Sequence, residues 1–293
     1  AIEQKSLSGR GSSKKFSLHG IKKLRELILE LAVRGKLVSQ DPTDEPASVL
    51  LERIDAEKAQ LIKDKKIKKP KVLPEISEDE KPFELPKGWR FLRLGEIGYW
   101  AIGSGFPLAI QGETDKEVLV CKVSDMNLEG NDKYIYTTKN SVDFETANVK
   151  KLKIHQKGTV IFPKIGGAIA TNKRRIIFTP TVIDNNCLGI TPYSIFESDY
   201  LYLYLKSVDF TYFQAGTSVP ALSQTVLELI ALGLPPLSEQ KRISDKVNEL
   251  MNLCDALEAQ TENSIAAHQT LVEVLLEALL KAPEQTATPE QAT

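Results

Sequence analysis

The chain has few of the residues from which metal and catalytic centres are usually built. Its 293 residues include three histidines, scattered along the sequence, so a zinc site or a catalytic triad is hard to assemble. The three cysteines are also far apart, which excludes a CxxC metal knuckle and a disulfide framework. We therefore expect three buried, reduced thiols. They are Cys121, Cys187 and Cys254.

Several motifs with a defined function are also missing. There is no GxxxxGKS/T loop for nucleotide phosphates and no Asn/Asp-Pro-Pro-aromatic segment of the kind that methylates bases. No window approaches 18 apolar residues, and the N-terminus lacks the apolar core of a signal peptide. We therefore expect a cytoplasmic, non-catalytic chain without a cofactor, a metal or a membrane partner.

The net charge of −1 hides an uneven distribution of charge. Residues 1–85 carry 18 basic and 15 acidic groups, residues 86–236 carry 16 and 14, and residues 237–293 carry 4 and 10. The acidic C-terminal segment is thus a poor surface for nucleic acid. A polyanion is expected to bind the middle of the chain instead.

Helical patterns bracket that middle segment. Apolar residues recur at 3–4 spacing from Ile21 and predict a helix that ends at Gly35. A second helix is predicted from Pro46 to the lysine run Lys63–Lys71. The expected segments are a disordered lead-in (1–17), an N-terminal helical region (18–71), an acidic, Pro-rich linker (72–85), a central domain (86–236), a long C-terminal helix (237–281) and a disordered tail (282–293).

The central domain carries short apolar or β-branched runs separated by Gly, Asn and Asp, a pattern typical of strands. A helix is expected at Asp199–Val208, where three large side chains share one face. The predicted class is therefore α+β, with one mixed domain flanked by long helices that pair as an antiparallel coiled coil. The predicted strands are Val118–Val123, Tyr134–Thr138, Thr159–Phe162, Arg175–Phe178 and Cys187–Thr191.

The C-terminal helix has the seam of a coiled coil, with Ser238 as its expected N-cap. The seam is apolar at both ends and polar in the centre, and polar seam residues fix register at some cost in stability. We expect it to form a subunit or dimer interface. At 1.5 Å per residue the helix is about 66 Å long, or about two turns of B-DNA. The interface residues expected are Ile243, Val247, Leu250, Leu257, His268, Leu271 and Leu275.

The best candidate for a polyanion site is the stretch Lys150–Arg175, which has eight basic residues and no acidic one. Its glycines allow close approach of a phosphate, and Lys or Arg can contact phosphates or guanine edges. The alternative is the solvated basic face of a β-domain. A nearby loop, Gln214–Ser218, adds amide and hydroxyl groups suited to base readout. The expected DNA-binding residues are Lys164, Gly166, Gly167, Asn172, Lys173, Arg174, Arg175, Gln214, Thr217 and Ser218.

Two other features have alternative interpretations. The loop Ile102–Phe106 has a GxG that could cradle a phosphate, although a tight turn between strands is favoured because no helix follows. The lysine run Lys63–Lys71 could contact nucleic acid. A solvated helix end is favoured there, since Pro70 and the acidic linker follow at once.

Five segments of the chain carry a resemblance to a known family. They are KLRELILELAVRGKLVSQDPTDEPASVLLERIDAEKAQLIKDKKIKK (23–69), FELPKGW (83–89), VIFPKIGGAIATNKRR (160–175), GTSVPALSQ (216–224) and LPPLSEQKRI (234–243). Together they resemble the specificity subunit of type I restriction-modification systems. The first and last segments are the most specific, and the resemblance runs from about residue 5 to residue 281.

The resemblance implies a target recognition domain that reads double-stranded DNA, and helices that act as a spacer and dock modification and restriction subunits. Complete members have two recognition domains, whereas this chain has one and looks like an N-terminal half. It is thus expected to read one half of a bipartite site, with a homodimer through the helices supplying the other half. The rival class is a coiled-coil scaffold with a protein-binding middle domain.

Overall fold

The computed structural model divides into two compact units, the larger of residues 26–248 and the smaller of residues 1–25 and 249–293. The predicted tail falls outside the residues that the structure describes. Most of the predicted lead-in does so too, but its ends form an antiparallel pair of strands rather than irregular chain. The described residues are 2–4, 16–194, 196–216 and 218–280.

The elements follow one another as helices, then a β-rich middle, then one long helix. The helices are α1 (His19–Val33), α2 (Ala47–Lys63), α3 (Phe144–Val149), α4 (Ser198–Ser207), α5 (Gln224–Leu227) and α6 (Leu237–Leu280). The strands are β1 (Ile2–Gln4), β2 (Phe16–Leu18), β3 (Arg90–Arg93), β4 (Gly98–Ile102), β5 (Val118–Cys121), β6 (Tyr134–Ile135), β7 (Ser141–Val142), β8 (Ile154–His155), β9 (Val160–Pro163), β10 (Arg175–Ile177), β11 (Thr181–Ile183), β12 (Cys187–Pro192), β13 (Gln214–Ala215), β14 (Ala221–Leu222) and β15 (Ala231–Leu234).

The first two helices agree closely with the sequence pattern. Gly35, with φ of +65°, follows α1 in the left-handed conformation that glycine adopts without strain, and this ends the helix as predicted. Pro46 directly precedes α2, because a proline lacks the N–H that the first helical turn leaves unpaired. The apolar stripe of α2 is buried at Leu50 and Ile54.

Two β-sheets form the core of the central domain. One has the strand order β4-β12-β9-β10-β6 and the other has the order β7-β5-β11-β8. Helix α4, close to the helix predicted at Asp199–Val208, contacts β9 and β10 and buries Leu201, Tyr204 and Leu205. The α+β class is confirmed. One buried apolar cluster consists of Ala101, Cys121, Met126, Ile135, Ile161, Ile177, Ile183 and Cys187.

The entrance and the exit of the central domain are joined by a strand pair that the sequence pattern does not indicate. Strand β3 pairs with β15 in antiparallel register, so that Leu92 lies opposite Leu232. Both side chains are buried. The pairing places the start of the domain beside its end, where α6 begins at Leu237.

The segment expected to be a free linker is fastened to the central domain by Arg93. Its guanidinium is buried and donates two hydrogen bonds to the Glu80 carboxylate, both at 2.8 Å. It also donates to the carbonyls of Pro74, Glu75 and Leu229. This arrangement holds the pKa of Glu80 at about 2, chiefly through the hydrogen bonds from Arg93. The linker is thus part of the domain surface.

Helix α6 is 44 residues long and begins at Leu237, but its N-cap lies two residues before the expected Ser238. The N–H of Gln240 donates to the carbonyl of Pro236, which makes Pro236 the capping residue. Ser238 is therefore inside the first turn and is not the N-cap. The proline fits the cap position because the missing N–H is not needed there.

Within the smaller unit, α1 contacts α6 through charges on both helices. Arg25 lies 2.7 Å from Asp255 and 2.9 Å from Glu258, measured between guanidinium nitrogen and carboxylate oxygen. Ile21 and Cys254 are buried in the same unit. Beyond Glu258, no described side chain of α6 is fully buried.

Candidate nucleic-acid interface

Three connections meet at one edge of the two sheets: the loop after β4, the loop after β9 and the turn between β11 and β12. The N–H of Ser104 donates to Ile183 at 2.8 Å, and the N–H of Lys164 donates to Asn186 at 2.9 Å. A Cβ on Gly103 would stand 1.9 Å from the carbonyl oxygen of the facing turn, so only glycine fits there. The GxG segment opens the long connection between β4 and β5 and approaches the facing turn closely, so the tight turn between strands that was favoured is not formed.

The hairpin of β13 and β14 lies beside the loop after β9. Ile165 forms a bridge with Ala221, and the N–H of Gly166 donates to Pro220 at 2.7 Å. Sequence reasoning placed Gln214 to Ser218 on a loop, whereas Gln214 belongs to β13. Gln214 and Ser218 are exposed. Thr217, the other residue predicted here, lies outside the described residues.

We call the surface made by Lys164, Gly166, Gly167, Gln214 and Ser218 the loop face. Apart from the chain neighbours, no described atom lies within 4 Å of the position that a Cβ would take on either glycine. Gly166 has a φ of +71°, which explains the need for glycine in the turn. The half-buried Gly166 and the exposed Gly167, with a lysine nearby, are suited to close approach of a phosphate.

Arg174 does not lie on this surface. Its side chain is 1% exposed and donates hydrogen bonds to the carbonyls of Leu205 and Val208. The guanidinium carbon lies 3.9 Å from the centroid of the Phe210 ring and 5.5 Å from that of Phe162. Burial lowers the pKa of Arg174 to about 9. The expectation of a DNA contact is corrected: in this conformation Arg174 holds the end of α4 to the turn before the hairpin.

The residues beside Arg174 include both internal and accessible side chains. Arg175 is buried and donates to the carbonyl of Met126 at 2.7 Å, so it too is an internal residue rather than a surface contact. Lys173 is half-buried and remains available at the surface. Asn172 has a φ of +49° and donates to the carbonyl of Lys206, so its amide supports the turn.

The predicted seam of α6 separates into an inner and an outer part. Ile243 and Val247 are buried within the chain, where they pack internally, whereas Leu250 is half-buried and its place in an interface stays a prediction. The other four predicted residues are exposed. They are Leu257, His268, Leu271 and Leu275.

A hydrogen-bond cluster around the buried Trp89 and Glu239 joins the segment FELPKGW (83–89) to the segment LPPLSEQKRI (234–243). The indole N–H of Trp89 donates to Glu239 at 2.9 Å, and the Gln40 amide donates to the other carboxylate oxygen at 2.7 Å. Trp89 and Glu239 are each 1% exposed. Burial raises the pKa of Glu239, against the lowering effect of both donors. We call these three residues the clasp.

The described residues offer neither a metal site nor a membrane-spanning helix. Among the described residues there is no group of three or more His, Cys, Asp or Glu side chains able to hold a metal ion. No helix in that part of the chain is long and apolar enough to cross a membrane. All three cysteines are free and buried, as expected, and burial raises the pKa of Cys121 and Cys187.

The chain folds into an α+β domain that carries the loop face and is followed directly by one long helix. These features define the class of protein. The model of the family described as "Type I restriction modification DNA specificity domain" matches residues 86–267, which is more than half of the chain. The chain therefore belongs to the type I restriction-modification DNA specificity family.

Two relatives from Escherichia coli agree with this. The chain is 41% identical over 301 residues to the type I restriction enzyme EcoAI specificity subunit, covering 94% of this chain and 47% of that one. It is 38% identical over 287 residues to the EcoEI specificity subunit, covering 95% and 47%. The chain thus spans about half the length of these relatives.

Solved structures support the fold. A structure described as "Structural basis underlying complex assembly and conformational transition of the type I R-M system" has a TM-score of 0.55 at 17% identity, covering 88% of this chain and 56% of that one. The crystal structure of the HsdS subunit from Thermoanaerobacter tengcongensis has a TM-score of 0.51 at 17% identity, covering 88% and 55%.

Proposed function

We propose that this chain reads one half of a bipartite DNA site as the specificity component of a type I restriction-modification complex. The observation that carries the proposal is the loop face, which lies inside the region matched by the DNA specificity domain. It combines accessible glycine backbone, a lysine and exposed amide and hydroxyl groups. These are the groups that contact phosphates and base edges.

The residues near the loop face divide into three roles. Lys164 and Lys173 contact phosphates and set orientation, while Gly166 and Gly167 let the DNA backbone come close. Gln214 and Ser218 read base edges from the hairpin. The buried pair Arg174 and Arg175, with Asn172, position these groups without touching DNA.

The chain itself performs no chemistry in this proposal. Methyltransferase subunits and restriction subunits dock on its helices and supply catalysis. The relatives support this arrangement because both are specificity subunits of type I restriction enzymes. The clasp fixes the recognition domain to the start of α6, so bound subunits keep a constant position relative to the bases read.

The second half of the site is read by a second copy of the chain. The outer part of α6 exposes about half of the side chains of Leu271 and Leu275. Apolar seam residues that remain exposed are expected to pack against another helix. A homodimer through this segment would carry two recognition domains at a fixed separation and would favour an interrupted palindrome.

The test uses the chain assembled with its methyltransferase subunit. For Lys164→Gln we expect weaker binding to every sequence and a slope of log K against log salt reduced by about 0.9, the value for one lost phosphate contact. Gln214→Ala should instead relax specificity at one base pair, by about 1–3 kcal/mol. Lys116→Gln is the control, because Lys116 precedes β5 at the opposite end of its sheet.

An unchanged salt slope for Lys164→Gln would remove the loop face from the DNA interface. If the assembled wild-type complex bound DNA with no salt dependence at all, the whole proposal would fail and a protein-binding scaffold would be the better description.

A further inference from the structure

The lysine run after α2 has a fixed course beside the central domain. Helix α2 ends at Lys63, and Lys65 adopts a left-handed conformation with φ of +56°, which turns the chain. The N–H groups of Lys66 and Ile67 both donate to the carbonyl of Leu61. The following residues line a groove of about 520 Å³ along β4. The run is therefore one wall of a groove, not only a solvated helix end.

The chain beyond the run is anchored. The Leu73 side chain packs so close to Gly95 that a Cβ there would be 3.0 Å from it. Residues 74, 75 and 80 are then held by the buried Arg93 guanidinium. Anchors on both sides keep the lysines against the domain.

The groove is strongly basic. Only Glu228, of the residues lining it, is acidic. The lining lysines are exposed, and none forms an ion pair with another residue that the structure describes. Five lysines and one glutamate give the groove an excess of positive charge, which attracts a polyanion. The lysines are Lys66, Lys68, Lys69, Lys71 and Lys153.

The floor and the ends of the groove point to nucleic acid. Tyr99 and Trp100 of β4 are half-buried in its lining, and Gln224 and Thr225 add polar groups at the foot of the hairpin. The backbone N–H of Lys153 donates to Ser104, so one end of the groove reaches the edge that carries the loop face. The groove and the loop face are neighbouring surfaces of one unit.

We propose that the groove along β4, walled by the lysine run, binds the sugar–phosphate backbone of one DNA strand flanking the bases read at the loop face. The five residues of β4 span about 17 Å at 3.4 Å per residue. One strand of B-DNA rises about 3.4 Å per phosphate along the helix axis, so a groove of this length can reach several phosphates of one strand. This inference rests on the proposed function, because it extends the same DNA complex.

The decisive variant is Lys68→Gln/Lys69→Gln/Lys71→Gln, assembled with the methyltransferase subunit and titrated with duplexes at several salt concentrations. Three lost phosphate contacts should lower the salt slope by about 2.7 and weaken binding roughly 100-fold near 0.15 M salt. The methylated sequence should stay the same. The charge-retaining triple Arg variant should restore most of the slope, and Lys116→Gln should change nothing.

Duplex length supplies a second measurement. Wild type should bind a duplex extended beyond the target more tightly than one trimmed to the target, and the triple Gln variant should bind both equally. If its slope and length preference equal those of wild type, the groove does not hold DNA. If the triple Gln variant binds DNA as wild type does but no longer assembles with the methyltransferase subunit, the groove binds an acidic protein segment instead. Failure of wild type to bind DNA would overturn the proposed function, a different result from either.

Discussion

Lys173 and Arg174 are adjacent in sequence and have opposite expected roles, which a pair of substitutions separates. Lys173→Gln should remove one phosphate contact, lowering the salt slope of DNA binding by about 0.9. Because the side chain is only half-buried, the free energy of unfolding should change by no more than about 0.5 kcal/mol.

Arg174→Met should give the reverse pattern. The guanidinium donates to three backbone carbonyls, worth about 1 kcal/mol each, and stacks on Phe210 for about 1–2 kcal/mol. Methionine restores some apolar contact and avoids the cost of burying a charge, a cost visible in the lowered pKa of Arg174. The net loss of unfolding free energy should be about 2–4 kcal/mol.

The assays are guanidinium unfolding of the chain and DNA titration of the assembled complex across salt concentrations. Both are run at a temperature at which the variant remains folded. Arg174→Lys, which keeps the charge but not the planar fork, should give an intermediate loss of stability. An Arg174→Met chain that keeps its stability but loses about 0.9 of the salt slope would refute the reasoning. Arg174 would then leave its pocket to contact DNA.

Three further predictions concern the clasp, the linker and the outer helix. In a double-mutant cycle, Trp89→Phe and Glu239→Gln should couple by about 1.5–3 kcal/mol in unfolding free energy, because they share a buried hydrogen bond to a charged group. Glu80 has a folded pKa of about 2 against 4.5 unfolded, so its stabilisation is present above pH 4.5 and is lost as pH falls towards 2. Glu80→Gln should remove that part of the acid sensitivity, as measured by unfolding at several pH values. Leu271→Glu should shift the chain towards monomer in light scattering.

Each of these predictions has a matched control. Trp100 is half-buried and does not contact Glu239, so Trp100→Phe should show no coupling with it. Glu78 is exposed on the same turn as Glu80, and its replacement by Gln should leave the acid limb unchanged. Leu253→Glu lies off the seam and should keep the wild-type mass. Additive changes in unfolding free energy for Trp89→Phe and Glu239→Gln would contradict the first prediction. An unchanged loss of stability at low pH for Glu80→Gln would contradict the second, and an unaltered dimer mass for Leu271→Glu would contradict the third.

Local patterns were sufficient to predict much of the fold. The predicted strand Val118–Val123 contains β5, and the predicted helix Asp199–Val208 largely coincides with α4. Both agree because the spacing of apolar residues follows which side chains are buried. The β3–β15 pair was missed since its partners are about 140 residues apart and its first strand follows a turn motif. Non-local pairing leaves no short-range pattern.

The candidate site could be predicted only in part. Sequence alone identified the basic stretch and its glycines, and the structure brings Lys164, Gly166 and Gly167 beside the hairpin. No sequence pattern indicates that Phe162 and Phe210 enclose Arg174, because neither ring is close to Arg174 along the chain. The same limit applies to the lysine run, whose role as a groove wall depends on the distant Arg93 and Gly95.

In the proposed complex one recognition domain reads half of a site and a second copy reads the other half. Genome-wide mapping of methylated bases, in cells that express this chain with its methyltransferase subunit, tests this arrangement. We expect a single methylated motif, an interrupted palindrome with a spacer of constant length. Methylation at a continuous, asymmetric motif, or at no motif at all, would contradict it.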